Sequence, residues 1–177
     1  WNCGILHDAG KINFLNMYAQ AGRQWFAEEY EMTQMHTILG HVCLAECPST
    51  RLYASAALGH HSWYDGSRGY PDTYRRLECP ERQMVDIISL LDWLENVTDA
   101  QYLFTGMKMS YDEAVSSAVS MEGRRFSPLL TARLRDGQIV EQLRCAFAEG
   151  RSEDYRLLYD GETAGGMTIR LHDFEKE

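Results

Sequence analysis

What the chain lacks narrows it before any motif is read. It has no run of about 18 apolar residues able to span a bilayer and no basic start followed by an apolar stretch of the secretory kind. Its 17 lysines and arginines are outnumbered by 26 aspartates and glutamates, for a net charge of −9. Duplex nucleic acid and an anionic membrane surface are therefore poor partners, since both want a basic face. The five cysteines (Cys3, Cys43, Cys47, Cys79, Cys145) form an odd set without a CxxC pair, which points to reduced thiols in a cytoplasmic setting. Internal repeats and low-complexity tracts are missing too. With 177 residues there is room for one sizeable core but not for two large domains. Residues 1–6 read as the middle of an element, so the chain is expected to be a piece of something longer, truncated at its N-terminal side.

What is present is mostly helical patterning. Between about residues 30 and 47, Met32, Met35, Leu39, Val42 and Cys43 recur at spacings of three and four. They predict one amphipathic helix that buries this stripe, with His36 on its border and His41 in a structural role. Pro48-Ser49 ends that helix and opens the next. There Leu52, Tyr53, Ala56, Ala57 and His60 step at helical spacing and bring His60-His61 to a helix end pointing inward. The strongest pattern, Met84, Ile87, Ile88, Leu91, Leu94 and Val97, predicts a helix from Pro80-Glu81 to about Asp99. Asp92 lies on its flank, while Asp86 and Asp99 read as solvated helix charges. Ser110 with Glu113 three residues on is a capping box for a short helix through Val119. Ser127-Pro128 opens another, interrupted at Asp136-Gly137. Residues 12–28 read as loop with a helical turn, and residues 150–177 as an irregular linker or tail with one short strand over 167–174.

The residues that carry chemistry are scattered over these segments. His7-Asp8 is followed by Lys11; His36 stands on the second segment; His60-His61 precedes a loop with turn chemistry at both ends, Asp65-Gly66 and Gly69-Tyr70-Pro71; Asp92 comes last. Gly69 permits a positive φ or a close backbone approach, Pro71 stiffens the exit and Tyr70 offers a stacking face. Taken singly, each has an ordinary explanation as a boundary histidine, a cap or a surface loop. A carboxylate beside a buried face, as Asp92 is, costs free energy unless paired or metal-bound. Imidazoles and carboxylates suit transition metals, Fe or Mn first and then Zn, Co or Ni, better than Mg or Ca. Two such ions about 4 Å apart would hold a bridging hydroxide and clamp a phosphodiester for in-line attack. Asp8 is then the natural bridge, and Lys11 offsets charge on the phosphoryl oxygens.

His7-Asp8-Ala9-Gly10-Lys11 resembles the HD-x-G-K signature of the HD phosphohydrolase superfamily. The block His60-His61, Asp65-Gly66, Gly69-Tyr70-Pro71 resembles its HD-GYP subfamily, bacterial cyclic di-GMP phosphodiesterases. His36 with Gly40 is similar to the subfamily's H-x-x-x-G motif, the segment Ser89 to Glu95 to its late aspartate helix, and Arg125-Phe126-Ser127-Pro128 to the opening of its terminal helix. The similarity covers roughly residues 5–147, with order and spacing kept. It implies an all-α, HD-domain-like bundle over residues 1–149, in which His7, Asp8, His36, His60, His61 and Asp92 bind two divalent metal ions. By the same resemblance Lys11, Arg68, Gly69, Tyr70 and Pro71 meet the substrate, and cyclic di-GMP is hydrolysed to the linear dinucleotide or to GMP. The implied partners are that cyclic dinucleotide and an upstream sensory or receiver domain, with a homodimer left open.

The chain departs from the pattern at several positions. Ser62 stands where the subfamily commonly has Glu after the histidine pair, Arg68 is inserted before Gly69, Glu95 replaces a second aspartate, and Gln101 falls where a substrate-contacting arginine is expected. A glutamate that helps some members bind a third metal would precede Trp1. These departures motivate two rivals: a catalytically weak domain kept as a cyclic di-GMP sensor or protein-interaction module, and a hydrolase of another phosphorylated nucleotide.

Overall fold

The apolar periodicity is realised as helices throughout. The computed structural model describes residues 2–18, 26–99 and 108–159. In order these form α1 (Asn2–Leu6), a 3-10 turn (Ala9–Phe14), α2 (Leu15–Tyr18), α3 (Ala27–Gln34) and α4 (His36–Glu46). A 3-10 turn (Arg51–Tyr53) leads into α5 (Ala54–Gly59), and another (Arg76–Glu78) precedes α6 (Arg82–Thr98). Then follow α7 (Tyr111–Ser120), α8 (Pro128–Arg133) and α9 (Gly137–Tyr159). Among the described residues there is no strand beyond an isolated bridge between Glu122 and Phe126, and no helix long and apolar enough to cross a membrane. The all-α expectation holds.

Backbone packing divides the chain into two units, Trp1–Arg135 and Asp136–Glu177. In the first, α5 is the central element because its residues are small. Ala56 packs with Cys3 and Ile88 on one side, and Ala54 and Ala57 pack with Leu44 on the other. Short side chains let α4 and α6 approach α5 closely, which a row of leucines would prevent. α6 contributes the large apolar surfaces: Val85, Ile88, Leu90, Trp93 and Leu94 are all buried, each worth about 1.5–3 kcal/mol for a full-sized side chain. Trp93 meets the buried Phe126 ring with centroids 5.2 Å apart, which anchors the turn between α7 and α8. Ser110 caps α7 as the sequence predicts: its hydroxyl accepts from the Glu113 amide at 3.3 Å, and Glu113 accepts from the Ser110 amide at 2.8 Å.

Four expectations need correction. The single helix predicted over 30–47 is two, α3 and α4, divided at Met35. Its buried face is not the Met32, Met35, Val42, Cys43 stripe: Met32 is 55% and Val42 49% exposed, whereas Thr33, His36, Thr37, Gly40 and Leu44 are buried. The stripe turns outward because His36 and Gly40 must face the interior, and on a helix that decides where every other residue points. Asp86 is also not a solvated charge. It is buried against Arg76, which is 1% exposed and donates from Nε to Asp86 Oδ1 at 2.8 Å. Arg76 also donates to the Ser62 carbonyl, tying the segment after the histidine pair to α6. In the second unit, α9 begins at Gly137, within the predicted interruption, and runs through Gly150 to Tyr159, so residues 150–159 are helical and not the irregular linker expected there. The strand expected over 167–174 and the departure at Gln101 lie outside the described residues.

Candidate metal centre

The six predicted ligands come from four places in the first unit and meet in one. His7 and Asp8 form the bend between α1 and the following 3-10 turn; His36 opens α4; His60 and His61 follow α5; Asp92 projects from α6. Their approach depends on two glycines. A Cβ on Gly10 would collide with the His36 carbonyl oxygen and come within 2.7 Å of the Gly40 amide nitrogen; one on Gly40 would lie 3.1 Å from the Gly10 nitrogen. The glycines of the first two motifs thus face each other, and backbone-to-backbone contact brings Asp8 to His36.

Three imidazoles are oriented in the same way. His7 Nδ1 lies 2.7 Å from the Gly4 carbonyl oxygen, His36 Nδ1 2.5 Å from that of Thr33, and His60 Nδ1 3.0 Å from those of Ala56 and Ala57. With Nδ1 donating to a carbonyl, Nε2 keeps its lone pair, the arrangement by which second-layer groups orient metal-ligating histidines. All three Nε2 atoms point into one space. His36 Nε2 is 3.3 Å and His60 Nε2 3.6 Å from Asp8 Oδ1, while His7 Nε2 is 3.5 Å from both Asp8 Oδ2 and Asp92 Oδ1. His61 Nδ1 lies 4.0 Å from Asp92 Oδ2. Two groups of donor atoms are close enough to share an ion: Asp8, His36, His60 and His61, and His7, Asp8 and Asp92. Asp8 belongs to both. His7 Nε2 and Asp8 Oδ1 are buried without a hydrogen-bond partner; such groups are costly to leave unsatisfied, and a cation between them would remove the cost. The donor set therefore fits metal binding.

The electrostatics agree. Burial opposes ionisation of Asp8, but the His36 and His60 rings beside it and the charges of Lys11 and His7 outweigh it, holding the carboxyl far below the usual range. Burial likewise opposes ionisation of Asp92, where the His7 ring beside it and the neighbouring imidazoles prevail. Burial disfavours a charged His7 ring, yet Asp92 and Asp8 leave its pKa raised. His61 is pushed well below its ordinary value by burial and by the adjacent His60. The space between the carboxylates thus favours positive charge, as a proton on His7 or as a cation.

A half-open cleft of about 200 Å3 leads to this centre, lined by Lys11, His36, His61, Gly69, Tyr70 and Asp92 among others. Lys11 pairs directly with Asp8. Gly69 has φ +92°, and a Cβ there would run into the His61 carbonyl, so the loop lies flat against the histidine pair only as glycine. That places the Tyr70 ring over His61, with centroids 4.6 Å apart. Arg68 and Pro71 are not among the cleft-lining residues; Arg68 is exposed, its guanidinium 5.3 Å from the Trp63 ring centre. Sequence reasoning missed Trp63, Trp93, Asn96 and Arg125, which do line the cleft. Asn96 donates to Asp92 Oδ1 at 2.9 Å; the four-residue helical spacing could have revealed it. Arg125 stands in the Arg125-Phe126-Ser127-Pro128 segment noted above, but no local signal places it, Trp63 or Trp93 in the cleft.

No protein-family model matches the chain. A curated protein named cyclic di-GMP phosphodiesterase, from Thermotoga maritima, is 29% identical over 125 residues. Those residues are 70% of this chain and 33% of the relative, so the chain spans about a third of that protein's length.

Proposed function

We propose that this chain is a metal-dependent phosphodiesterase domain of the HD-GYP type that hydrolyses cyclic di-GMP to the linear dinucleotide or to GMP. The observation that carries the proposal is the sharing of Asp8 between two ligand groups, with the bare Nε2 atoms of three histidines around it. Bound there, two divalent cations, Fe or Mn by preference, supply an activated water and a Lewis acid for the phosphoryl oxygens. The chain's own part is preorganisation. The backbone carbonyls fix the imidazoles, the depressed carboxyl pKa values keep Asp8 and Asp92 ionised, and Lys11 brings a positive charge to the edge of the centre. Gly69 and Tyr70 form the wall on which a nucleotide rests. The similarity to a protein named cyclic di-GMP phosphodiesterase supports a cyclic dinucleotide as the substrate class.

The test is turnover of cyclic di-GMP by protein loaded with Mn or Fe, followed by product chromatography, beside the Asp8→Ala variant. Loss of Asp8 should lower kcat by at least about a thousandfold, on the scale of removing a principal electrostatic group, and lower bound metal. Undiminished turnover without Asp8 would refute the mechanism. Tight nucleotide binding by the metal-loaded wild type without hydrolysis would select the sensor reading.

A further inference from the structure

Arg125 is a cation in the cleft that belongs to none of the metal-ligating motifs. Of the residues lining the cleft, two carry a fixed positive charge, Lys11 and Arg125. Lys11 is engaged with Asp8 at the centre. The Arg125 guanidinium lies among aromatic rings, 5.3 Å from the centre of Trp93, 5.5 Å from Phe126 and 5.9 Å from Trp63. Arg124 and Arg68 add guanidinium groups 5.7 and 5.3 Å from Trp63. In a chain of net charge −9, three arginines around one indole beside the cleft concentrate positive charge at its edge.

The backbone holds the turn that carries this cation in place. Between α7 and α8 the turn is closed by Gly123, at φ +72°, and by the Arg125 amide donating to the Met121 carbonyl at 3.0 Å. It is joined to the histidine-pair loop by the Tyr64 amide donating to the Arg125 carbonyl and the Asp65 amide to that of Arg124, both at 3.0 Å. Phe126, next in the chain, is fully buried. A turn so constrained needs no backbone ordering when its arginine binds an anion, and the planar guanidinium fork suits a phosphate better than an ammonium does.

We infer that Arg125 anchors the phosphodiester that is not being cleaved. This rests on the phosphodiesterase reading above: a cyclic dinucleotide carries two phosphates, the metal centre with Lys11 takes one, and the other needs a second cation in the same cleft. Trp63 supplies the aromatic face beside it. The inference assigns to Arg125 a preference for substrates with two phosphate groups over those with one.

The experiment compares wild type with Arg125→Ala, Arg125→Lys and a surface control, Arg51→Ala, all metal-loaded and matched by circular dichroism and thermal melting. Arg51 is exposed and donates to the Ala45 carbonyl, outside the cleft. Turnover is measured on cyclic di-GMP, cyclic di-AMP and bis(p-nitrophenyl) phosphate, and affinity by calorimetric titration with the linear dinucleotide. Arg125→Ala should raise KM for both cyclic dinucleotides and Kd for the linear one by about 10- to 100-fold, the loss of one charge-assisted contact. The effect on kcat should be smaller, with Lys restoring part of the affinity and the single-phosphate ester losing less. Unaltered KM and Kd, a loss confined to the guanine-bearing substrate, or an equal loss on the single-phosphate ester would each overturn the assignment. If the wild type binds the linear dinucleotide but cleaves none of the substrates, the enzymatic reading fails and the Kd comparison still decides the role of Arg125. Failure of the wild type to bind it removes both.

Discussion

Gly10 and Gly40 touch where any side chain would hold two helical segments apart, and on that contact depends whether Asp8 reaches His36. Gly10→Ala should therefore cost about 1–3 kcal/mol through overpacking. Because backbone lies on the other side and cannot rotate away, it should also weaken metal binding. A thermal melt together with a metal titration checks this; a stable variant with full metal affinity would show that the two backbones can part freely. The residue scale also explains why the motif glycines are legible in the sequence while their purpose is not: the spacing H-x-x-x-G is visible, but the partner glycine lies 30 positions away. Asp86 shows the opposite failure. Nothing local distinguishes a solvated aspartate from one buried beside an arginine ten residues earlier.

At the scale of elements, local chemistry was read well where ends are fixed by local bonds. Ser110 and Glu113 satisfy the first amides of α7 reciprocally, and Pro128 follows Ser127 at the start of α8. Ser110→Ala should lower stability by about 1 kcal/mol, seen as a fall in the urea midpoint with the slope unchanged; a slope change would mean that the unfolding unit itself had altered. Where tertiary demands compete with periodicity, the reading slipped. The residues of α3 and α4 carry an apolar stripe, yet the helix presents its histidine and glycine inward and leaves Met32, Met35 and Val42 exposed. The inward-facing His36 and the contact of Gly40 with Gly10 fix the rotation of α4 more strongly than three side chains of burial energy.

At the scale of the whole molecule, the first unit closes around a cluster of ionisable groups rather than an uninterrupted apolar core. His36 and His60 are 2% and 1% exposed, and Asp8 and Asp92 converge on them. Such an interior is stabilised by whatever cation satisfies it. Adding Mn or Fe to metal-stripped protein should raise Tm, by the equivalent of about 2.7 kcal/mol at a hundredfold excess over Kd, and Asp8→Ala should flatten the response. An equally large rise in that variant would place the stabilising ion elsewhere. The effect should be lost as the solution is acidified and protons compete for the imidazoles.

The amino-acid order by itself determined the helical class, the cap and break positions at Ser110 and Asp136-Gly137, and the identity of the six histidines and aspartates that cluster, because periodicity, capping and motif spacing are local properties of a chain. Only the tertiary structure decided which face of α4 turns inward, that Asp86 is buried, and that Arg125 and Asn96 join the cleft. Those outcomes come from contacts between segments far apart in sequence, where the close approach of two glycines and the cost of an unsatisfied charge outweigh any single segment's preference.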